Sequence, residues 1–332
     1  MSARTFERRE DAVDAHPVLV EVERSGLVES RHRGTAVALA ADGTPLVRVG
    51  SAREPIWPRS TLKPIQAAAM LRCGLELKEE ELVALAAASH SGEEFHVEGV
   101  ERILAGAGLT SAALRCPRAW PMEDAVAIGL AKAGGAPSRL RMNCSGKHAA
   151  MLATCVHRGW PVDAYLDPGH PLQRAVRDTL AELSGETPAA VGVDGCGAPV
   201  FAVSPLGVAR AYRALVTAPP GDPERRVADA MRAHPEWTCG TGRPELRLME
   251  AVPGLLVKCG AEGVDAFALP DGRAGAVKID DGAMRARVPV TVALLRALGA
   301  EAEMDLSPVF GGEETVGAVR PAAAFLAALP GR

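Results

Sequence analysis

The chain opens on strand-type alternation of apolar and polar residues and then changes to a helical repeat. VLVEVER (18–24) and TAVALAADGTPLVRVG (35–50) read as strands, and Asp42-Gly43 between the two apolar runs of the second marks a hairpin turn. From Ser60 the spacing predicts helices over 60–73, 78–88, 93–106, 123–133, 147–158, 170–183, 204–216, 222–234 and 242–251. Gly74, Gly108 and Gly159 fall just past three of these segments, where C-terminal caps belong. Strands return in LLVK (255–258), AFALP (266–270) and AGAVKI (274–279), with Asp271-Gly272 as a second hairpin turn, and a helix over 282–298 follows.

That order predicts an α/β protein in an α+β arrangement. One mostly antiparallel central sheet is built from N- and C-terminal strands and flanked by helices, which disfavours a doubly wound parallel sheet. Residues 1–15 read as a flexible tail and 16–330 as one domain, with no internal repeat and no linker longer than TAPPGDPE (217–224).

Composition narrows the class. A chain of 332 residues, 48% hydrophobic, can bury a substantial core. Its 37 Lys and Arg against 41 Asp and Glu give a net charge of −4, and Arg31-His32-Arg33 is too short a basic run to suggest nucleic acid. No apolar stretch approaches the roughly 18 residues that span a bilayer, and MSARTFERREDAVDAH lacks the apolar region of a signal peptide. Seven scattered cysteines then read as reduced thiols or metal ligands of a cytoplasmic protein.

Four stretches could carry chemistry. In RSTLKP (59–64), Ser60 and Lys63 stand three apart at a helix start, so both project on one face. Pro64 is tolerated there because the first turn has spare N–H groups. Serine becomes a nucleophile when a base takes its proton, and lysine is such a base once burial or nearby positive charge lowers its pKa. The plain alternative is a capping serine and a solvated lysine. In AAASHSGEEFH (86–96), Ser91 and Glu94 suit a capping box, which leaves Ser89 and His90 without a structural role. RMNCSGKHAAM (141–151) clusters Cys144, Lys147 and His148 and is not a phosphate loop, since Arg141 occupies the first glycine position and no Ser or Thr follows Lys147. VDGCGAP (193–199) adds Asp194 and Cys196. Two thiolates brought together favour zinc, and chemistry alone prefers His148 as the nitrogen ligand because lysine must first lose a proton. Two unrelated buried cysteines are the plain alternative. Finally, Lys258 ends the apolar run of LLVKCGAEG (255–263) beside Gly260, where the backbone can be closely approached.

In order, GLVESRHRG, RSTLKP, ASHSGE, MNCSGKH, VDGCGAP, LVKCGAEG and VKIDDG resemble the L-asparaginases of the Rhizobium etli type, over about residues 18–300. The resemblance implies a fold like that of serine β-lactamases and penicillin-binding proteins, and hydrolysis of L-asparagine to L-aspartate and ammonia. It implies two Ser–Lys tandems, Ser60 with Lys63 and Ser89 with Lys258. It also implies a zinc site of Cys144, Lys147, Cys196 and water, displacing His148 from the ligand set, and a homodimer. Arg59, His148 and Asp194 are then candidates for the substrate's α-carboxylate and α-amino groups. Which serine attacks stays open.

Two other readings stand beside this one. A β-lactamase or D,D-peptidase would share Ser60 and Lys63, but the chain has no S-D-N or Y-x-N element, and K-T-G appears only as Lys258-Cys259-Gly260. A non-catalytic relative that binds zinc or an amino acid is the other, although all four Ser–Lys residues are present. Glutamine as a second substrate differs by one methylene, worth about 1–3 kcal/mol of discrimination.

Overall fold

The computed structural model describes residues 16–304 and 307–331, so the expected tail over 1–15 lies outside the described residues. The strands are β1 (Val18–Arg24), β2 (Leu27–Leu39), β3 (Pro45–Val49), β4 (Ala190–Val193), β5 (Pro199–Ala202), β6 (Leu256–Gly260), β7 (Val264–Ala268), β8 (Ala274–Ile279), β9 (Pro308–Gly311) and β10 (Glu314–Pro321). The helices are α1 (Lys63–Arg72), α2 (Glu80–Ala86), α3 (Glu94–Gly106), α4 (Asp124–Lys132), α5 (Ser145–Arg158) and α6 (Pro171–Ser184) in the first half. α7 (Pro205–Thr217), α8 (Pro223–Ala233), α9 (Pro235–Cys239), α10 (Pro244–Ala251), α11 (Met284–Ala297) and α12 (Ala323–Ala327) complete the set.

The main sheet runs β6-β7-β8-β2-β1-β10-β9, with β3 paired to β2, and every strand pairing among the described residues is antiparallel. N- and C-terminal strands therefore do share one sheet. β2 is its spine: it pairs with β1 along its first half and with both β3 and β8 along its second. Both expected hairpin turns form. Gly43 and Gly272 each adopt positive φ, and Asp42 Oδ1 accepts the Thr44 amide at 2.8 Å. The three expected C-terminal cap glycines, Gly74, Gly108 and Gly159, are all left-handed.

Side-chain alternation splits the core in two. On β2, Val37 and Leu39 enter the cluster shared with the helical layer, while Ala36 and Ala38 enter the cluster beneath α11 and α12. The same parity governs β6 and β7, because successive side chains of a strand leave opposite faces. Leu256, Ala266 and Ala268 join the first cluster, and Val257, Phe267 and Leu269 join the second. Lys258 shares its parity with Leu256 and so points into the helical layer, whereas Asp265 points toward α11.

Several elements depart from the sequence expectation. β2 begins at Leu27 rather than 35, on residues that stay mostly exposed before the buried run. β9 and β10 carry no apolar alternation, with only Val309 and Val319 reaching the core. Their place on the sheet comes from backbone pairing, β10 to β1 and β9 to β10. The β4–β5 hairpin and the short α9 and α12 were also unforeseen. The expected capping box at Ser91 and Glu94 does not form. Ser91 donates to Glu93 instead, and Glu94 turns outward to Arg141 at 2.6 Å. Among the described residues no helix is long and apolar enough to cross a membrane.

Beneath the sheet lies a buried ion cluster. Arg287 of α11 reaches Asp265 Oδ1 at 2.7 Å and Glu245 Oε1 at 2.5 Å, and Thr291 Oγ1 donates to Asp265 Oδ2 at 2.9 Å. Burial works against the charge on Glu245, but Arg287 and then Arg243 hold its carboxyl down at about 2. Burial wins at Asp265, which is pushed up to about 6 against the pull of Arg287. Removing the one cation that serves both carboxylates leaves buried charge unpaired. Arg287→Met is therefore expected to lower the unfolding free energy by about 3–5 kcal/mol, read from the urea midpoint at an unchanged m-value. A loss under about 1 kcal/mol would show that the cluster is dispensable to the fold.

Candidate active site

The first site element is a turn of 3-10 helix, Arg59–Leu62, that feeds directly into α1. Pro58 precedes it, and Arg59 takes a left-handed φ of 55°, a costly conformation for a residue with a side chain. Several contacts hold the turn. Thr61 Oγ1 donates to Pro58 O at 2.9 Å, and Tyr212 OH donates to Thr61 O at 2.8 Å. Gly260, at the end of β6, lies so close that a Cβ there would collide with Pro58 O. Glycine next to Lys258 thus permits the close backbone approach that the sequence suggested. Ser60 is left half-buried, and its hydroxyl has no hydrogen-bond partner among the described residues, while Lys63 is buried at the start of α1.

Three chain segments meet around Ser89, which follows α2 in a buried stretch. Its amide donates to Thr238 O at 3.0 Å, and that of His90 donates to Asn143 O at 3.1 Å. The Ser89 hydroxyl is hydrogen-bonded to Lys63 Nζ at 2.9 Å and to Lys258 Nζ at 2.8 Å. Lys63 Nζ also reaches Ala88 O at 2.5 Å and Asn143 O at 3.5 Å, and Lys258 Nζ reaches Cys259 O at 3.1 Å. So Lys63 meets Ser89 rather than Ser60, and one hydroxyl joins the two lysines.

Burial is the main force lowering the pKa of Lys63. The positive charges of Lys258 and Lys147 add to it, and Cys144 opposes it. A neutral Lys63 has two N–H groups for the two carbonyls and one lone pair for the Ser89 proton, which matches its partners. His90 is held neutral by burial. Its Nδ1 accepts the Gly92 amide at 3.1 Å, so its Nε2 donates to Ser145 Oγ at 2.9 Å.

A second cluster lies at the start of α5. Cys144 is its N-cap residue, and Lys147 and His148 belong to its first turn. Gly146 lets this turn press against Leu85 of α2, since a Cβ there would be 2.5 Å from the Leu85 carbonyl oxygen. The β4–β5 hairpin delivers Asp194 and Cys196 from the other side. Lys147 Nζ donates to Cys196 Sγ at 3.1 Å. The neighbouring Cys144, followed by the charge of Lys147, holds Cys196 below the ordinary thiol range despite burial, while the Cys144 thiol itself donates to Asn143 Oδ1 at 3.4 Å. Cys144 is pushed up by the neighbouring Cys196 and by burial.

His148 Nδ1 bonds Tyr165 OH at 2.7 Å, whose oxygen also accepts the Arg115 amide at 3.0 Å. His148 Nε2 is buried without a hydrogen-bond partner among the described residues. Arg59 and Asp194 do not stand apart as two free groups, because Arg59 Nε donates to Asp194 Oδ1 at 2.7 Å.

Cys144, Lys147 and Cys196 are the side chains here that could hold a metal ion. Two sulfurs, together with the Lys147 amine once it gives up the proton that the neighbouring Cys196 holds on it, form a donor set that suits a soft divalent cation. Among the described residues no group of three or more His, Cys, Asp and Glu is placed to do so, which leaves a lysine as the third protein donor. The sequence reading missed the carbonyls of Ala88, Asn143 and Thr238, which orient Lys63 and Ser89. Backbone acceptors leave no trace in residue type.

No curated protein sequence matches the chain. Similar solved structures include that of Mglu in its tris and glutamate form, 15% identical at a TM-score of 0.42, covering 84% of this chain and 62% of that one. The chain thus spans less than two thirds of that protein's length. Another is a β-lactamase from Burkholderia vietnamiensis, 16% identical at a TM-score of 0.34, covering 76% and 85%. A third is EstCE1, a hydrolase with promiscuous acyltransferase activity, 14% identical at 0.35, covering 82% and 91%. The family model described as L-asparaginase II matches residues 20–321, a span that contains all seven motifs. This chain belongs to the L-asparaginase II family.

Proposed function

We propose that the chain is an L-asparagine amidohydrolase that forms an acyl-enzyme on serine. The observation that carries this reading is the Ser89 hydroxyl held between Lys63 Nζ and Lys258 Nζ, in a chain of the L-asparaginase II family. Ser60 is the nucleophile in this scheme, because it is half-buried with a hydroxyl that has no hydrogen-bond partner among the described residues, while Ser89 is buried. Ser60 Oγ attacks the side-chain amide carbon, and its proton passes to neutral Lys63, with Ser89 as the relay that Lys63 already holds. The C–N bond breaks, ammonia leaves with that proton, and water hydrolyses the ester to give L-aspartate and restore Ser60. Lys258 keeps positive charge near the relay and so favours a neutral Lys63. The Arg59–Asp194 pair opens to the substrate, Arg59 taking its α-carboxylate and Asp194 its α-ammonium, with His148 beside them.

Zinc at Cys144, Lys147 and Cys196, with water as a further ligand, belongs to the same proposal. It would organise the pocket by tying α5 to the β4–β5 hairpin, and the serine chemistry needs no zinc-bound hydroxide. The proposal also takes the enzyme as a cytoplasmic homodimer acting on a small molecule. All seven cysteines lie among the described residues outside any disulfide, in keeping with a reducing compartment.

A second reading has Ser89 attack, favoured by the two amines on its oxygen. An asparagine-like electrophile followed by peptide mass spectrometry separates the two: label on Ser60 supports the first scheme, and label on Ser89 alone overturns it.

Wild-type protein is expected to release ammonia from asparagine, and Ser60→Ala to lose about a thousandfold or more in kcat/KM. No release from asparagine by the wild type would end the proposal. Lys63 must be neutral to act, so kcat/KM rises with pH through an apparent pKa below the ordinary lysine range. Lys63→Arg, which stays charged at any working pH, abolishes turnover. A flat profile, or an active Lys63→Arg variant, would exclude Lys63 as the base. Zinc measured by atomic absorption after dialysis is expected in the wild type and absent from Cys196→Ser. Equal metal in both would remove the zinc assignment.

A further inference from the structure

Away from Ser89 and the sulfur pair, two helices enclose a cavity of about 440 Å3 lined by four arginines. Arg243 is the N-cap residue of α10, and Arg247 follows four residues later on the same side of that helix. Arg285 and Arg287 project from the first turn of α11. Ser307, three methionines and a valine complete most of the remaining wall; among the described residues no carboxylate lines it, and none of the ten candidate site residues does either.

The positive charge is only partly compensated. Arg287 is paired with Asp265 and Glu245, and Arg243 Nε lies 3.7 Å from Glu245 Oε2. Arg285 gives its N–H groups to His32 Nε2 at 3.1 Å and Ser30 Oγ at 3.3 Å, while Asp281 is engaged by the other nitrogen of His32 at 2.6 Å. Arg247 makes no side-chain hydrogen bond or ion pair among the described residues. The buried Nε atoms of Arg243 and Arg287 likewise lack hydrogen-bond partners. Among the described residues, four permanent cations thus face one cavity with Asp265 and Glu245 behind it and Asp281 acting on Arg285, an excess of about one charge. Guanidinium groups crowded this way repel one another unless an anion lies between them.

We infer that this cavity binds a small dianion, a phosphate ester or a dicarboxylate, whose oxygens meet the arginines and whose carbon part packs on the methionines. Guanidinium forks match phosphate and carboxylate oxygens in pairs, and thioether side chains adapt to an apolar remainder.

Isothermal titration of the full chain with phenyl phosphate, inorganic phosphate and succinate at constant ionic strength tests this. Saturable binding of phenyl phosphate or succinate is expected, and the tighter of the two identifies the ligand's source. Arg247→Ala, which removes a side chain without intramolecular partners, should weaken that binding about tenfold or more, and Arg285→Ala should do likewise. Phenyl phosphate should also exceed inorganic phosphate. The inference is overturned if nothing saturates below about 10 mM. It is equally overturned if binding is unchanged in both variants, which would place the ligand elsewhere, the serine site included. The readout needs no turnover, so it stands or falls apart from the amidase proposal.

Discussion

Two amines share one hydroxyl at the centre of this protein, and neither forms an ion pair with a carboxylate among the described residues. Lys63 and Lys258 both reach Ser89 Oγ within 3 Å, in an interior where a second positive charge is costly. That constraint shapes what surrounds them. Carbonyls of Ala88, Asn143 and Cys259 take up the remaining N–H groups, and the stretch from Ala87 to Ser91 is buried throughout. The strained turn at Arg59 and the bare backbone at Gly260 let α1 and β6 approach closely enough for both lysines to converge.

The sulfur cluster is bound to this centre through one short stretch of chain. Asn143 offers its carbonyl to Lys63 and to the His90 amide, and its side-chain oxygen accepts the thiol of its neighbour Cys144, which acts on the Cys196 thiolate. Lys147 neutralises that thiolate and adds its own charge to those that keep the pKa of Lys63 low. A change in the charge of the sulfur pair is therefore felt by the lysine beside Ser89.

Strand parity keeps the opposing charges apart. Lys258 leaves β6 on the helical face, while Asp265, on the neighbouring strand β7, leaves on the other and meets Arg287. The acidic groups that offset Arg287 are thereby kept out of hydrogen-bonding range of the lysine pair. They stand instead behind the wall of the arginine-lined cavity, where they leave that cavity positive.

Much of this was legible in the residues themselves. Apolar alternation marked β1, β3, β7 and β8, Asp-Gly pairs marked two hairpins, and glycines marked three helix ends, because these signals are local and depend on backbone preference alone. The collinear motifs marked Ser60, Lys63, Ser89, Cys144, Lys147, Cys196 and Lys258 as a set. Spacing along a helix suggested that Lys63 serves Ser60, whereas its amine lies on Ser89, a residue brought in by packing of α2 against α5. β9 and β10 escaped notice because they are held by pairing, β10 to β1 and β9 to β10, and bury little. Arg59 and Asp194 carried opposite charges in the sequence, but only the fold made them partners. Residue type and spacing thus determined which groups the protein possesses and which elements carry them. Their pairing was decided by the tertiary structure, because hydrogen bonds and ion pairs between distant segments depend on where the sheet and helices bring their ends together.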